Sequence, residues 1–95
     1  MKGYIIANVD VTDWAAYEAY RSRTAGVIAQ YGGQFLVRGG AVEVREGDPG
    51  ISRLVLIEFA DMEAARTFYD SPEYQAILPG RIANSTGTLF LVEGV

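Results

Sequence analysis

Neither cysteine nor histidine occurs in the 95 residues. Their absence excludes thiol nucleophiles, disulfides, histidine-ligated haem and the ordinary zinc sites. It also removes the side chain that most readily moves protons near neutral pH. Acid–base chemistry would fall to a carboxylate, a tyrosine or a lysine with a shifted pKa. Lysine is nearly missing too, with Lys2 the only one. Eight basic residues lie scattered against twelve acids, for a formal charge of −4. No basic stripe suited to nucleic acid is visible, and an anionic membrane surface is disfavoured on the same ground. No apolar run approaches the length of a membrane span. The opening "MKGYIIANVD" is interrupted by Asn8 and Asp10 too early to serve as a signal peptide, so a cytoplasmic location is the default. "EGDPG" (46–50) holds too few oxygens at calcium spacing and reads as a turn. No helix follows the glycines of "VRGGAVEV", so it is not a phosphate loop. Neither a metal nor an organic cofactor is expected.

Apolar residues, by contrast, are plentiful: 49% of the chain, spread along its whole length. That is generous for a single domain, residues 1–95, whose core can only be modest. "GYIIANVDV" (3–11) reads as a strand. Thr12 or Asp13 can cap a helix over 13–31, which sets Trp14, Tyr17, Tyr20, Thr24, Val27, Ile28 and Tyr31 on one stripe. Gly32-Gly33 stops it. "QFLVRGGAVEVRE" is an extended stretch bent at Gly39-Gly40, its second half alternating like an edge strand, and "GDPG" turns the chain into a buried strand, "SRLVLIEFA". A second helix starts near Asp61, pauses at Ser71-Pro72 and ends at Pro79-Gly80. "TLFLVEG" is the last strand. The order β-α-β-β-α-β predicts an α+β, ferredoxin-like sandwich: a four-stranded antiparallel sheet with both helices on one face. The first and third strands are expected as parallel neighbours, with Asn8, Asp10 and Glu58 gathered at one end of the sheet.

Helices cover one face of such a sheet, yet these strands are apolar on both. Ile5, Ala7 and Val9 oppose Tyr4 and Ile6; Leu54 and Leu56 oppose Val55, Ile57 and Phe59; Leu89 and Leu91 oppose Phe90 and Val92. Leaving large side chains wet forfeits about 1.5–3 kcal/mol each and bares a patch that soluble monomers rarely carry. A two-fold homodimer stacked sheet on sheet removes the difficulty.

The chain also resembles a bacterial family, the domain of unknown function 1330. The matching stretches are "FLVRGG" (35–40), "EGD" (46–48), "RLVLIEFADMEAARTFYDSPEYQAI" (53–77), Arg81 and "LFLVEG" (89–94). The likeness runs over nearly the whole length, and "FYDSPEYQ" is its most specific element. "LPGR" departs from the more helical approach to the arginine seen in the family. The resemblance implies membership of the dimeric α/β-barrel group, with a ferredoxin-like protomer and a sheet-on-sheet dimer. That architecture serves cofactor-free monooxygenases, muconolactone isomerases, polyketide-tailoring enzymes and haem-dependent peroxidases, and shared architecture transfers none of these activities.

Candidate site residues follow from chemistry. Tyr69 and Tyr74 carry hydroxyls that need partners when buried. Arg38 precedes the double glycine and Arg81 follows Pro79-Gly80, both placed to turn inward. With Asn8 they are candidates for holding a small hydrophobic or acidic metabolite in a cleft between sheet and helices. Against this, tyrosines at helical spacing are commonly core or rim residues, and either arginine can pair with Glu58 or Glu46. Glu58 is the candidate base if the protein is a cofactor-independent enzyme of isomerase, cyclase or monooxygenase type. The residues leave open whether any reaction is catalysed, and a purely structural dimer is the third alternative.

Overall fold

The computed structural model covers residues 1–95. Its elements are β1 (Gly3–Val11), α1 (Trp14–Gln30), β2 (Gln34–Arg38), β3 (Leu54–Phe59), α2 (Met62–Asp70), α3 (Pro72–Ala83) and β4 (Ser85–Glu93). Each helix start has a chemical cause. The Asp13 carboxylate accepts from the Ala16 amide at 3.1 Å, and that of Asp61 accepts from Ala64 at 2.8 Å. Ser71 Oγ accepts from the Tyr74 amide at 3.1 Å, with Pro72 in the first turn, where its missing N–H costs nothing. Helix α1 stops where Gly32 takes φ +78°. The Gly33 and Gly32 amides then fold back onto the Ile28 and Ala29 carbonyls, closing a Schellman motif.

The strands form one sheet in the order β2-β3-β1-β4, and every neighbouring pair is antiparallel. The expected parallel pairing of the first and third strands is therefore wrong. The crossover through α1 leaves one vacant lane between the parallel strands β1 and β2. Strand β3 returns from β2 into that lane, antiparallel to both. Tyr4 consequently faces Glu58 while Asn8 faces Leu54, so Asn8 and Glu58 lie at opposite ends.

All three helices pack on one face, making a slab only 16 Å through its thinnest dimension. The core closes between Ile5, Ala7 and Val9 of β1, Ile57 and Phe59 of β3, and the inward stripes of the helices, including Tyr17, Tyr20, Ile28, Phe68 and Tyr74. Trp14 does not join it. At the first turn of α1 it overhangs the sheet, 53% exposed, edge-on to Tyr17 at 5.7 Å.

Two further expectations fail. Residues 39–53 contain no strand, and Val42 and Val44 stay exposed. The alternation of "AVEVR" needs a neighbouring strand to pair with, and the chain turns away at Gly39, whose amide bonds to the Leu54 carbonyl at 2.8 Å. Pro79-Gly80 does not end α3 either; the helix runs on to Ala83. A helix-interior proline forfeits one backbone bond, but Tyr74, Ile77 and Leu78 fix the helix to the core up to that point. Its last turn is held by Asn84, which donates to the Gly80 carbonyl at 2.9 Å, and by Ser85 Oγ, which donates to Arg81.

Candidate functional site

Between the sheet and helices α1 and α3 lies a cleft. Its water-accessible space measures about 40 Å³, room for a few waters or one carboxylate-sized group.

Arg38 reaches this cleft through a defect in β2. Gln34 pairs with Glu58 on the far face and Phe35 with Ile57 on the core face, so simple alternation would send residue 38 to the far face. Between Phe35 and Val37 the register slips by one residue. Val37 then sits opposite Leu56, and Arg38 opposite core-facing Val55. A bulge commonly re-aims a side chain in this way. The guanidinium lies 4.4 Å over the Phe35 ring and donates to the Arg21 carbonyl at 3.1 Å, tying the sheet edge to α1.

Arg53 enters beside it because residue 39 is glycine. With φ at +71°, a Cβ on Gly39 would stand 2.8 Å from Arg53 Nε. Glycine thus supplies both the left-handed backbone and the room. Arg81 arrives from α3. Tyr74, Ile77, Leu78 and Arg81 follow the spacing i, i+3, i+4, i+7, so Arg81 shares the buried face of its helix. That helical spacing directs it inward, with no flexible Pro-Gly turn involved.

The lining also includes Tyr17, Tyr20, Tyr74, Phe35, Phe68 and aliphatic residues of the sheet, but no aspartate or glutamate. Arg21 is balanced by Glu18 at 3.3 Å on the exposed side of α1. Arg38, Arg53 and Arg81 form no ion pair. In a chain with more acids than bases, three unpaired guanidinium groups around one apolar recess form a local reversal of charge. Arg38 registers it: partial burial lowers its pKa, and the positive neighbours Arg21 and Arg53 push it the same way.

Deeper in, the hydroxyls of Tyr20 and Tyr74 stand 2.8 Å apart, and Thr24 Oγ1 donates to the Tyr20 carbonyl at 2.7 Å. Burial pushes the Tyr20 phenol far up, and the neighbouring Tyr74 adds to it, so Tyr20 stays protonated at physiological pH. Burial works against the charge of Arg81, but the oxygens of Tyr74, Tyr20 and Tyr69 outweigh it and hold the guanidinium protonated. Arg81 Nε is buried without an acceptor. An unpaired buried donor costs about 1–3 kcal/mol, and a ligand oxygen would relieve that cost.

Of the residues singled out from sequence, Arg38, Tyr74 and Arg81 meet at this cleft. Tyr69 packs on Tyr74 with ring centroids 5.5 Å apart and stands behind it. Asn8 and Glu58 are on the other face of the sheet. Asn8 pins the long loop, donating to the Gly50 carbonyl and accepting from the Ser52 amide, both at 2.9 Å. Glu58 accepts from the Tyr4 hydroxyl at 3.3 Å and lies 3.8 Å from Lys2 Nζ. Its neighbours Ile57 and Phe59 take the core face, so alternation turns it outward. Arg53, Tyr17 and Tyr20 were not among the sequence candidates. The tyrosines showed only as a buried stripe, and Arg53 gives no signal without the position of Gly39.

This fold and cleft belong to a ferredoxin-like α+β class. More particularly, the model of the domain of unknown function DUF1330 matches residues 2–95, and the chain belongs to that family. Among solved structures, it is similar to RPA0582, a protein of unknown function from Rhodopseudomonas palustris: 16% identity, TM-score 0.74, over 99% of this chain and 82% of that one. It is also similar to SnoaB, a cofactor-independent oxygenase from Streptomyces nogalater, at 20% identity and TM-score 0.65, over 99% and 93% of the two chains. An antibiotic biosynthesis monooxygenase matches at 13% identity and TM-score 0.56, over 100% and 99%. Identities this low establish the shared fold alone. No curated protein matches the sequence.

Proposed function

We propose that the protein is a ligand-binding module, folded as one domain and paired sheet on sheet with a second copy, that holds a small hydrophobic organic anion between sheet and helices. The observation that carries this reading is the apolar cleft with three unpaired arginines and no carboxylate. Burying like charges without a counter-charge is unfavourable, and an anionic ligand supplies what the chain omits. Benzoate is a suitable probe. Titration calorimetry is expected to show binding that weakens about tenfold or more in Arg38→Ala, weakens as salt is raised, and is unchanged in Glu58→Gln. Heat of dilution alone, at millimolar benzoate and low salt, would remove the reading.

A catalytic version of the same site is favoured by one feature, the phenol pair beside Arg81. Such donors can stabilise an enolate or phenolate as it forms. It also fits the fold shared with a cofactor-independent oxygenase. In that version the arginines and tyrosines act on the substrate's own acidity, because no carboxylate base lines the cleft. Glu58 stands outside it, so Glu58→Gln is expected to leave any turnover intact.

A further inference from the structure

The charges along the cleft are not distributed evenly. Arg38 and Arg53 occupy its outer part, where Arg38 is exposed and tied to the Arg21 carbonyl. Arg53 acts on Arg38 as a like charge. Arg81 enters from α3 instead, with tyrosines as its leading electrostatic neighbours. Beside it in the cleft lining, Tyr74 and Tyr20 are 1% and 8% exposed. Tyr17, on the same lining, feels Arg53, Arg81 and Arg38 together. One end therefore offers two uncompensated cations near solvent. The other offers a single half-buried arginine whose Nε–H is buried and unsatisfied, and a hydroxyl pair that needs only one of its two protons for its internal bond.

Resting on the anion-binding reading, we infer that the cleft is two-ended and selects an organic dianion: a flat apolar body with an acidic oxygen group at each extremity. One carboxylate takes the paired cations Arg38 and Arg53 at the mouth. The other acidic oxygen, a carboxylate or an ionised enol, takes Arg81 Nε–H and the free phenol proton. A single anionic group at the mouth would leave the inner donor unsatisfied. A single group at the inner end would leave two cations at the mouth without a partner. Phe35 and Val55 line the same cleft and offer the ring an apolar surface.

Three ligands of one shape separate the ends: benzoate, monomethyl terephthalate and terephthalate. Terephthalate is expected to bind at least tenfold more tightly than its monomethyl ester, with a steeper salt dependence. Arg38→Ala and Arg81→Gln should each erase that advantage, leaving terephthalate no tighter than its monomethyl ester on the same variant. Arg81→Lys, which keeps charge but lacks the Nε–H fork, controls for folding of α3 and should restore part of it, with unchanged circular dichroism. Terephthalate binding no tighter than its ester would overturn the two-ended cleft and leave simple anion binding standing. Failure of all three ligands, benzoate included, would overturn both.

Discussion

The two faces of this sheet are built from nearly the same kinds of residue, yet they have opposite fates. On one, Ile5, Ala7, Ile57 and Phe59 are buried beneath the helices. On the other, Ile6 sits between Leu56 and Phe90, and Tyr4 between Glu58 and Val92. There Phe90 is 50% and Val92 42% exposed. Hydrophobicity alone does not say which face has a cover within the chain. The charged residues separate the faces more sharply. Arginines without partners collect on the helix side, whereas the carboxylate of the bare side is already engaged by Tyr4 and Lys2. A satisfied polar group reads as scaffold, and an unsatisfied one as a place for something else.

The strongest way to test the contrast is to cut into the covered face. Phe68 is buried and stacks within 6.4 Å of three other rings, those of Tyr31, Phe59 and Tyr74. Phe68→Ala is expected to lose about 3–5 kcal/mol in urea unfolding, the usual cost of a large aromatic truncation in a core. On the bare face, the smaller change is in association. Phe90→Asp should leave the circular dichroism spectrum intact and convert a sedimenting dimer into a monomer. In the proposed sheet-on-sheet pairing each covered aromatic would contribute about 1.5–3 kcal/mol, and a two-fold contact would use it twice. A wild-type protein that sediments as a monomer at micromolar concentration would break the comparison, since the second face would then have no cover at all.

How much of this was legible in the residues differs by scale. Element order, the two-faced strands and the capping at Ser71-Pro72 follow from patterns only a few residues long, and these hold. Local rules fail where a distant neighbour decides. "AVEVR" alternates like a strand, but alternation reports only a preference, and nothing in the chain lies alongside to pair with it. Pro79 reads as a stop, yet burial at Ile77 and Leu78 before it and side-chain bonds from Asn84 and Ser85 after it keep the helix going. The cleft is the least legible part. Arg38 is turned by a register slip two residues earlier, and Arg53 is admitted by a glycine fourteen positions away. Neither relation exists until β2 and β3 have paired. Asn8 and Glu58 were brought together by an assumed strand direction, and the crossover through α1 separates them.

The subtlest prediction concerns the two phenols, which share one hydrogen bond on the covered face. Tyr20→Phe removes one partner and leaves the Tyr74 hydroxyl buried without it, costing about 1–3 kcal/mol; the double change Tyr20→Phe with Tyr74→Phe should cost less than the sum of the singles, because no polar group is then stranded. The same pair sets a pH signature. Tyr20 ionises above its ordinary value of 10.0 in the folded chain, so in alkali the unfolded chain loses that proton first. Stability from this group is complete below about pH 10 and declines as pH rises toward the folded value. Urea midpoints are therefore expected to be flat on this account through neutrality and to fall above pH 10. The double phenylalanine variant should fall less steeply. Equal slopes in the two proteins would mean that the buried phenol pair is wetter than its 2.8 Å contact and low exposure require, and the covered face would then be less closed than the core around Phe68.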